Sequence, residues 1–451
     1  PAGAGAAPAG FAVRLAQKLA EHGPTLHLSS ERFDAAYGKA DAAQTDENDP
    51  TNLAVAGWLN DQEASHRYVV YETDATWSAW TQRCLRQADR VVLVGQAGRA
   101  AVPGEIEAAM RPAEPRARME LVLVQPEGNG RPTGTAAWLA ERRVAAHHHL
   151  RMSSADDFRR LARRLAGRAV GLVFSGGGAR GFAQIGAIRA LEEAGLRADL
   201  VGGTSIGALI GAMYAMGADY AHLHKVAEAL ASPKRLLDRT LPLASFMASA
   251  KVTSVYRRIF DDARIEDLRR PYFCVSTNLT RAEPVVHEQG LLWEALRAST
   301  AIPGIFAPFL HKGDVVVDGG VMNHFPVDLM RERCEGGMLI AVNTSPRSEK
   351  LRNYEFGSSI SGWRVLRSRL NPLERTVRVP SIFSTLTRAT EVGSVYRLPF
   401  QEELADLLIL PPVEQFRTLD FAAYAESIDV GYHAARQQIE AWQQTHAGVG
   451  S

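Results

Sequence analysis

An apolar run, Leu200–Gly203, leads straight into Gly203-Thr204-Ser205-Ile206-Gly207 and then into a helical run of small residues, Ala208–Met216. That order, strand then sharp turn then helix, constrains the chain more than any other feature. It requires an α/β arrangement in which the strand is buried and the helix packs back on it. At the turn the serine takes a strained conformation that exposes its hydroxyl, and glycines at both flanks let the two elements approach closely enough. Gly203 and Gly207 are thus the elbow glycines and Ser205 the candidate nucleophile. A purely structural serine is the bland alternative, and the rest of the chain speaks against it.

Upstream, the apolar run Ala169–Phe174 opens into Gly176-Gly177-Gly178-Ala179-Arg180-Gly181, followed by a helical pattern over Phe182–Ala194. Glycines between a strand and a helix let backbone N–H groups face a site where the helix end adds positive potential. The string also satisfies G-x-G-x-x-G, the dinucleotide pattern. That reading needs an acid closing the second strand, where it can meet a ribose. Asp199 lies at the right distance but opens Leu200–Gly203, so it sits at the wrong end. Downstream, Val315-Val316-Val317 reads as a short buried strand ending in Asp318-Gly319-Gly320. A serine hydroxyl needs a base, and a carboxylate at a strand end beside two glycines is well placed to reach Ser205. His324 satisfies the serine, aspartate, histidine order of a triad. Because Phe325-Pro326 follows, it is expected to begin the next element and turn away.

The remaining sequence sets the context. At 451 residues the chain is too long for one ordinary core. Short apolar runs at Thr25–Leu28, Tyr68–Tyr71, Val91–Val94 and Leu121–Val124 alternate with helical stretches, which predicts a parallel α/β sheet over residues 11–166. No Walker phosphate loop is present there; Gly95-Gln96-Ala97-Gly98 is too short. Pro1 to Gly10 is rich in Ala, Gly and Pro, reads as a linker, lacks an initiator Met, and suggests a piece of a longer protein. Ser154 with Asp157 predicts a capping box opening a helix that ends near Gly167. Its apolar face is Phe158, Leu161, Ala162 and Leu165, and Arg159, Arg160, Arg163 and Arg164 are expected on a solvated face.

Lys+Arg 51 against Asp+Glu 50 gives no reason to expect a nucleic-acid partner. The three scattered cysteines, Cys84, Cys274 and Cys334, fit a reducing compartment, with Cys274 in the core. No apolar stretch reaches the length of a membrane span. Side chains of His147-His148-His149 alternate on a strand and cannot converge on one ion, so no metal is expected. Asp261, Asp262, Glu266 and Asp267 read as an exposed loop and helix start. Ser361–Leu373 mixes Trp363, Val365, Leu366 and Leu370 with arginines; a surface helix packed on the core is favoured over one lying on a membrane interface.

Gly-Gly-Gly-Ala-Arg-Gly, Gly-Thr-Ser-Ile-Gly and Asp-Gly-Gly, in that order, resemble the patatin-like phospholipase family. The likeness narrows to the neuropathy target esterase branch on Trp80 to Asp89, Ile265-Glu266-Asp267-Leu268, Pro271-Tyr272-Phe273, Ser361-Gly362-Trp363 and Asp429-Val430-Gly431-Tyr432. It runs from Ala20 to Trp442. The resemblance implies a Rossmann-like accessory domain over residues 11–166, then a patatin-like three-layer α/β hydrolase domain over 167–451. It implies an esterase of lysophospholipids or phospholipids working through a Ser205–Asp318 dyad without a cofactor. Carried over, the backbone of Gly176, Gly177 and Gly178 forms the oxyanion hole, Arg180 and Gly181 support that loop, and Gly319 and Gly320 follow the base. The sequence departs from the family at His324, where a second Asn would follow Asn323. Cyclic-nucleotide-binding domains upstream, a cytoplasmic location and peripheral contact with the inner membrane face are further implications. The competing reading is a regulatory lipid-binding module with a silent hydrolase site.

Overall fold

In the first half, the predicted strands form at β1 (Thr25–Leu28), β2 (Tyr68–Tyr71), β3 (Arg90–Gln96) and β4 (Arg118–Gln125), joined by β5 (Ala146–Arg151), the histidine strand. The structure is a computed structural model that describes residues 7–110, 117–128, 130–231, 238–241, 243, 245–345, 358–370, 379 and 382–446. The expectation of a single parallel sheet needs correction. All pairings here are parallel, but β1–β2 and β3–β4–β5 are separate ladders. Along β4 the side chains alternate: Val122 and Val124 pack with Phe11, Leu15 and Phe158 on one face, Leu121 and Leu123 with Ile106, Met110 and Trp138 on the other.

The second half is built on β6 (Val170–Phe174), β7 (Leu200–Thr204), β8 (Tyr272–Asn278), β9 (Glu283–His287), β10 (Phe309–His311), β11 (Asp314–Asp318), β12 (Met338–Val342) and β13 (Leu407–Ile409), one mixed sheet. Cores lie on both faces, as a three-layer architecture requires. On β6, Leu172 and Phe174 face the helices Ala183–Glu193 and Tyr424–His446, whereas Val173 faces Phe325, Val327 and Met330. All three cysteines are buried and free, Cys274 on β8.

One detail of the ladders positions the site. β9 pairs with Cys274–Asn278 of β8, overlapping both the stretch opposite β7 (Tyr272–Val275) and the stretch opposite β11 (Ser276–Asn278). A strand has two edges, so β7 and β11 must share the one that β9 leaves. They run toward each other and meet end to end where Thr204 faces Val275 and Asp318 faces Ser276.

Between the halves, the helix Ala155–Leu165 is capped as expected, Ser154 accepting from the Asp157 N–H. The box is not reciprocal: Asp157 instead accepts from the N–H and guanidinium of Arg151. The solvated basic face is a further correction. Arg163 makes a paired bond to the buried Asp199, whose carboxylate also takes the Val170 N–H at 2.9 Å. Arg160 reaches the His149 carbonyl and Asp157, and only Arg159 is exposed. The acidic run is likewise only half exposed: Glu266 and Asp267 are buried at the same seam, because His147 and His149 both donate to the Glu266 carbonyl at 2.9 Å and Thr135 N–H to Asp267. His148 points the opposite way, to Glu120.

Candidate active site

Ser205 follows the last residue of β7 with φ 57 and ψ −123, then the helix Ile206–Met216 begins. Such a conformation costs a serine roughly 1–3 kcal/mol and persists only where its surroundings enforce it. The enforcing contacts are those of the two glycines. A Cβ on Gly203 would lie 2.7 Å from the backbone of Gly207, and one on Gly207 would lie 2.5 Å from the Ser175 carbonyl. The turn therefore closes only with glycine at both places.

Asp318 ends β11, head-on to β7. The Ser205 hydroxyl donates to its Oδ2 at 2.6 Å, and the Gly320 N–H donates to its Oδ1 at 2.7 Å. Gly319 is what brings the two strand ends together, since a Cβ there would meet the Val275 carbonyl at 2.3 Å. Both side chains are buried. Among the described residues, no third group stands between them. His324 is nevertheless not turned away from the site. Its ring lies against Gly176 and Gly320, where added Cβ atoms would meet it at 2.7 and 3.1 Å, while its Nε2 bonds the Ser345 hydroxyl. It flanks the hydroxyl–carboxylate pair, which bonds directly.

The glycine loop needs one correction. The Gly176 N–H donates to the His324 carbonyl oxygen at 3.0 Å and so is not free to meet an oxyanion. The N–H groups of Gly177 and Gly178 have no hydrogen-bond partner among the described residues. Gly178 has φ 60, and a Cβ on it would lie 2.3 Å from the Thr418 carbonyl, so glycine is needed for conformation and space alike. Arg180 Nε donates to the Phe416 carbonyl at 2.8 Å, which ties the loop to the segment that reaches Thr418. Gly181 admits Ile206, which a Cβ would meet at 2.3 Å.

Sequence reasoning missed several supporting groups. Thr204 Oγ1 donates to the Asn323 carbonyl, tying the elbow to the turn after Asp318. Ser175 Oγ accepts from the Thr344 N–H, and Gln184 Nε2 donates to the Ser175 carbonyl, fixing the base of the glycine loop. Ser299 Oγ accepts from the Ser205 N–H at 3.0 Å. No motif marks any of these. Among the described residues no group of His, Cys, Asp and Glu could hold a metal ion.

Residues 172–331 match the patatin-like phospholipase family, and residues 1–156 match the Neuropathy Target Esterase family P-loop like domain, a span that takes in the stretch read as a linker. The chain is 35% identical to the patatin-like phospholipase domain-containing protein 7 of Mus musculus, covering 96% of this chain and 34% of that protein. It is also 35% identical to the patatin-like phospholipase domain-containing protein 6 of Homo sapiens, over 96% of this chain and 33% of that protein. With the lysophospholipase NTE1 of Mycosarcoma maydis it shares 34% identity over 86% of this chain and 24% of that protein. The chain thus spans about a third or less of the length of these relatives.

Proposed function

Since the chain belongs to the patatin-like phospholipase family, in its neuropathy target esterase branch, we propose that it is a serine esterase cleaving acyl esters of lysophospholipids or phospholipids. The observation that carries this reading is the 2.6 Å bond from the strained Ser205 to Asp318. Asp318 takes the hydroxyl proton as Oγ attacks the acyl carbonyl carbon. The negative charge that builds on the carbonyl oxygen is met by the N–H groups of Gly177 and Gly178. Collapse of the tetrahedral species expels the glycerophospho alcohol, which leaves with the proton held by Asp318. Water then attacks the acyl-enzyme, with Asp318 again as base, and free fatty acid departs.

Contact with a lipid surface belongs to the same proposal. Val392, Tyr396 and Phe400 form an exposed stripe at helical spacing on Ile382–Glu402. That helix lies against the Gly319–Val321 turn, and its Gln401 donates to Asn323. Trp363 is 80% exposed and Leu366 48% exposed on the helix Gly362–Leu370, so the expected packing of these side chains on the core does not occur. No described helix is long and apolar enough to cross a membrane. An apolar fringe beside the catalytic turn suits a substrate drawn from an interface. The division into an accessory unit over 11–166 and a hydrolase unit over 167–451 is supported by Phe158 and Leu161, which pack into the core of the first unit.

The test is product analysis with lysophosphatidylcholine in EDTA. Free fatty acid and glycerophosphocholine are expected from the wild type and not from Ser205→Ala. Cleavage of soluble short-chain esters alone, under conditions that disperse the lipid, would overturn the substrate assignment.

A further inference from the structure

The catalytic pair is made of two chain ends. Ser205 has left β7 and has no place in a ladder; Asp318 is the last residue of β11. Their strands meet head-on along one edge of β8, so no hydrogen bond of the sheet runs from one to the other. Something else has to set the distance between hydroxyl and carboxylate. Besides the Thr204–Asn323 bond, one three-residue segment contacts both backbones. Ser299 Oγ accepts from the Ser205 N–H at 3.0 Å, and the Ala301 carbonyl accepts from the Asp318 N–H at 2.9 Å.

The segment is itself well anchored. Ser299 closes the helix Leu292–Ser299 and is fully buried. Thr300 caps back to the Leu296 carbonyl through N–H and hydroxyl, and Tyr256 donates to the Thr300 hydroxyl. Two residues before Ser299, Arg297 donates to the Ala307 carbonyl, beyond the segment, so the chain is gripped on both sides of it.

We propose that Ser299-Thr300-Ala301 is a clamp that sets the nucleophile–base geometry, with Ser299 as a positioning residue that holds the strained Ser205 backbone through its N–H. The reading rests on Ser205 as nucleophile. A side-chain acceptor is needed here because Ser205 begins a helix, and the N–H groups of a helix's first turn lack partners within the helix. At a buried elbow, water is a poor substitute. Misplacement by about 1 Å costs of order 10²-fold in rate, so loss of the clamp acts on turnover while leaving the lipid site unchanged.

The experiment combines steady-state kinetics, fluorophosphonate labelling mapped by mass spectrometry, and thermal unfolding. Ser299→Ala is expected to lower kcat and the labelling rate together by about 10–100-fold, with KM within twofold and the label still on Ser205. Ser299→Thr, which keeps the acceptor, is expected to restore most of both. A folded Ser299→Ala with kcat and labelling within twofold of wild type would overturn the clamp. Should the alanine variant not fold, Ser299→Cys decides: nearly isosteric, but with sulfur as a weak acceptor, it should turn over about tenfold more slowly than Ser299→Thr, and equality would overturn the proposal. Wild-type label on another residue would remove the nucleophile assignment and the clamp with it. That result is distinguishable because the wild type itself shows it.

Discussion

Two of this molecule's buried polar clusters differ in the strain they carry and in the backbone donors they leave open. At the seam, the Glu266 carbonyl takes two histidine N–H groups, its carboxylate takes Arg264 and the Gly290 N–H, Asp267 takes the Thr135 N–H, and Asp199 takes Arg163 and the Val170 N–H. At the catalytic cluster Ser205 sits at φ 57, and the Gly177 and Gly178 N–H groups have no hydrogen-bond partner among the described residues. Burial of charge therefore does not by itself mark chemistry. Closure is not complete at the seam either, where Thr135 Oγ1 and Arg164 Nε and Nη1 have no hydrogen-bond partner among the described residues; strain together with open backbone donors is what a reacting oxygen can use.

The largest effect expected from this contrast lies at the pair itself. Ser205→Ala should leave no measurable esterase turnover, and Asp318→Asn should cost about 10²–10⁴ in kcat, the usual range for a lost general base. His324→Asn should stay within several-fold, because His324 flanks the pair and bonds Ser345. Steady-state rates on folded variants decide it, and a histidine variant falling as far as the aspartate variant would replace the dyad with a relay.

Gly178→Ala is the next step down. Its Cβ would meet the Thr418 carbonyl at 2.3 Å, so the loop must shift and carry the open N–H away from the carbonyl oxygen's path. Loss of one such donor costs about 10²–10³ in kcat, with labelling of Ser205 slowed in step. Unchanged kcat in a folded variant would show that the oxyanion is held elsewhere.

What the sequence made legible follows the same division. The three catalytic motifs are local: each sits where a strand ends, and the glycines announce the close approach. The head-on meeting of β7 and β11 is not local, so Asp318 could be nominated while its direct bond to Ser205 could only be argued. No local motif shows that the Gly176 N–H is claimed by the His324 carbonyl, far away in the chain. Ser299 gave no signal because Ala-Ser-Thr at a helix end is ordinary. Arg160 and Arg163 pass for solvated in the sequence because an amphipathic pattern cannot distinguish water from a second polar surface, and the acidic run that holds Glu266 and Asp267 looks no different from an exposed one. Trp363 misled in the other direction, since large apolar residues are presumed buried.

The smallest effect on turnover, and the clearest on stability, belongs to the seam. His149 is buried, donates through Nε2 to the Glu266 carbonyl and accepts from Gln125 at Nδ1, which fixes it neutral. Burial and its histidine neighbours push its pKa down to about 3, from the ordinary value near 6.5. Above pH 6.5 it is neutral folded or unfolded and contributes no pH dependence. Below that the unfolded chain binds a proton that the folded chain refuses until about pH 3, so stability falls as pH falls through that window. One such histidine is worth about 1.4 kcal/mol per pH unit there. His148 and His287, pushed down to about 4 and about 3, add in the same direction. His149→Gln retains a donor but cannot titrate. Denaturant unfolding at pH 7.5, 6 and 5 should therefore show a shallower loss of stability in the variant, by about the share of one histidine, while kcat at pH 7.5 stays within twofold. An unchanged pH slope would mean that the seam opens or hydrates before it titrates. A large loss of turnover at pH 7.5 would mean that the seam and the catalytic cluster are one network after all.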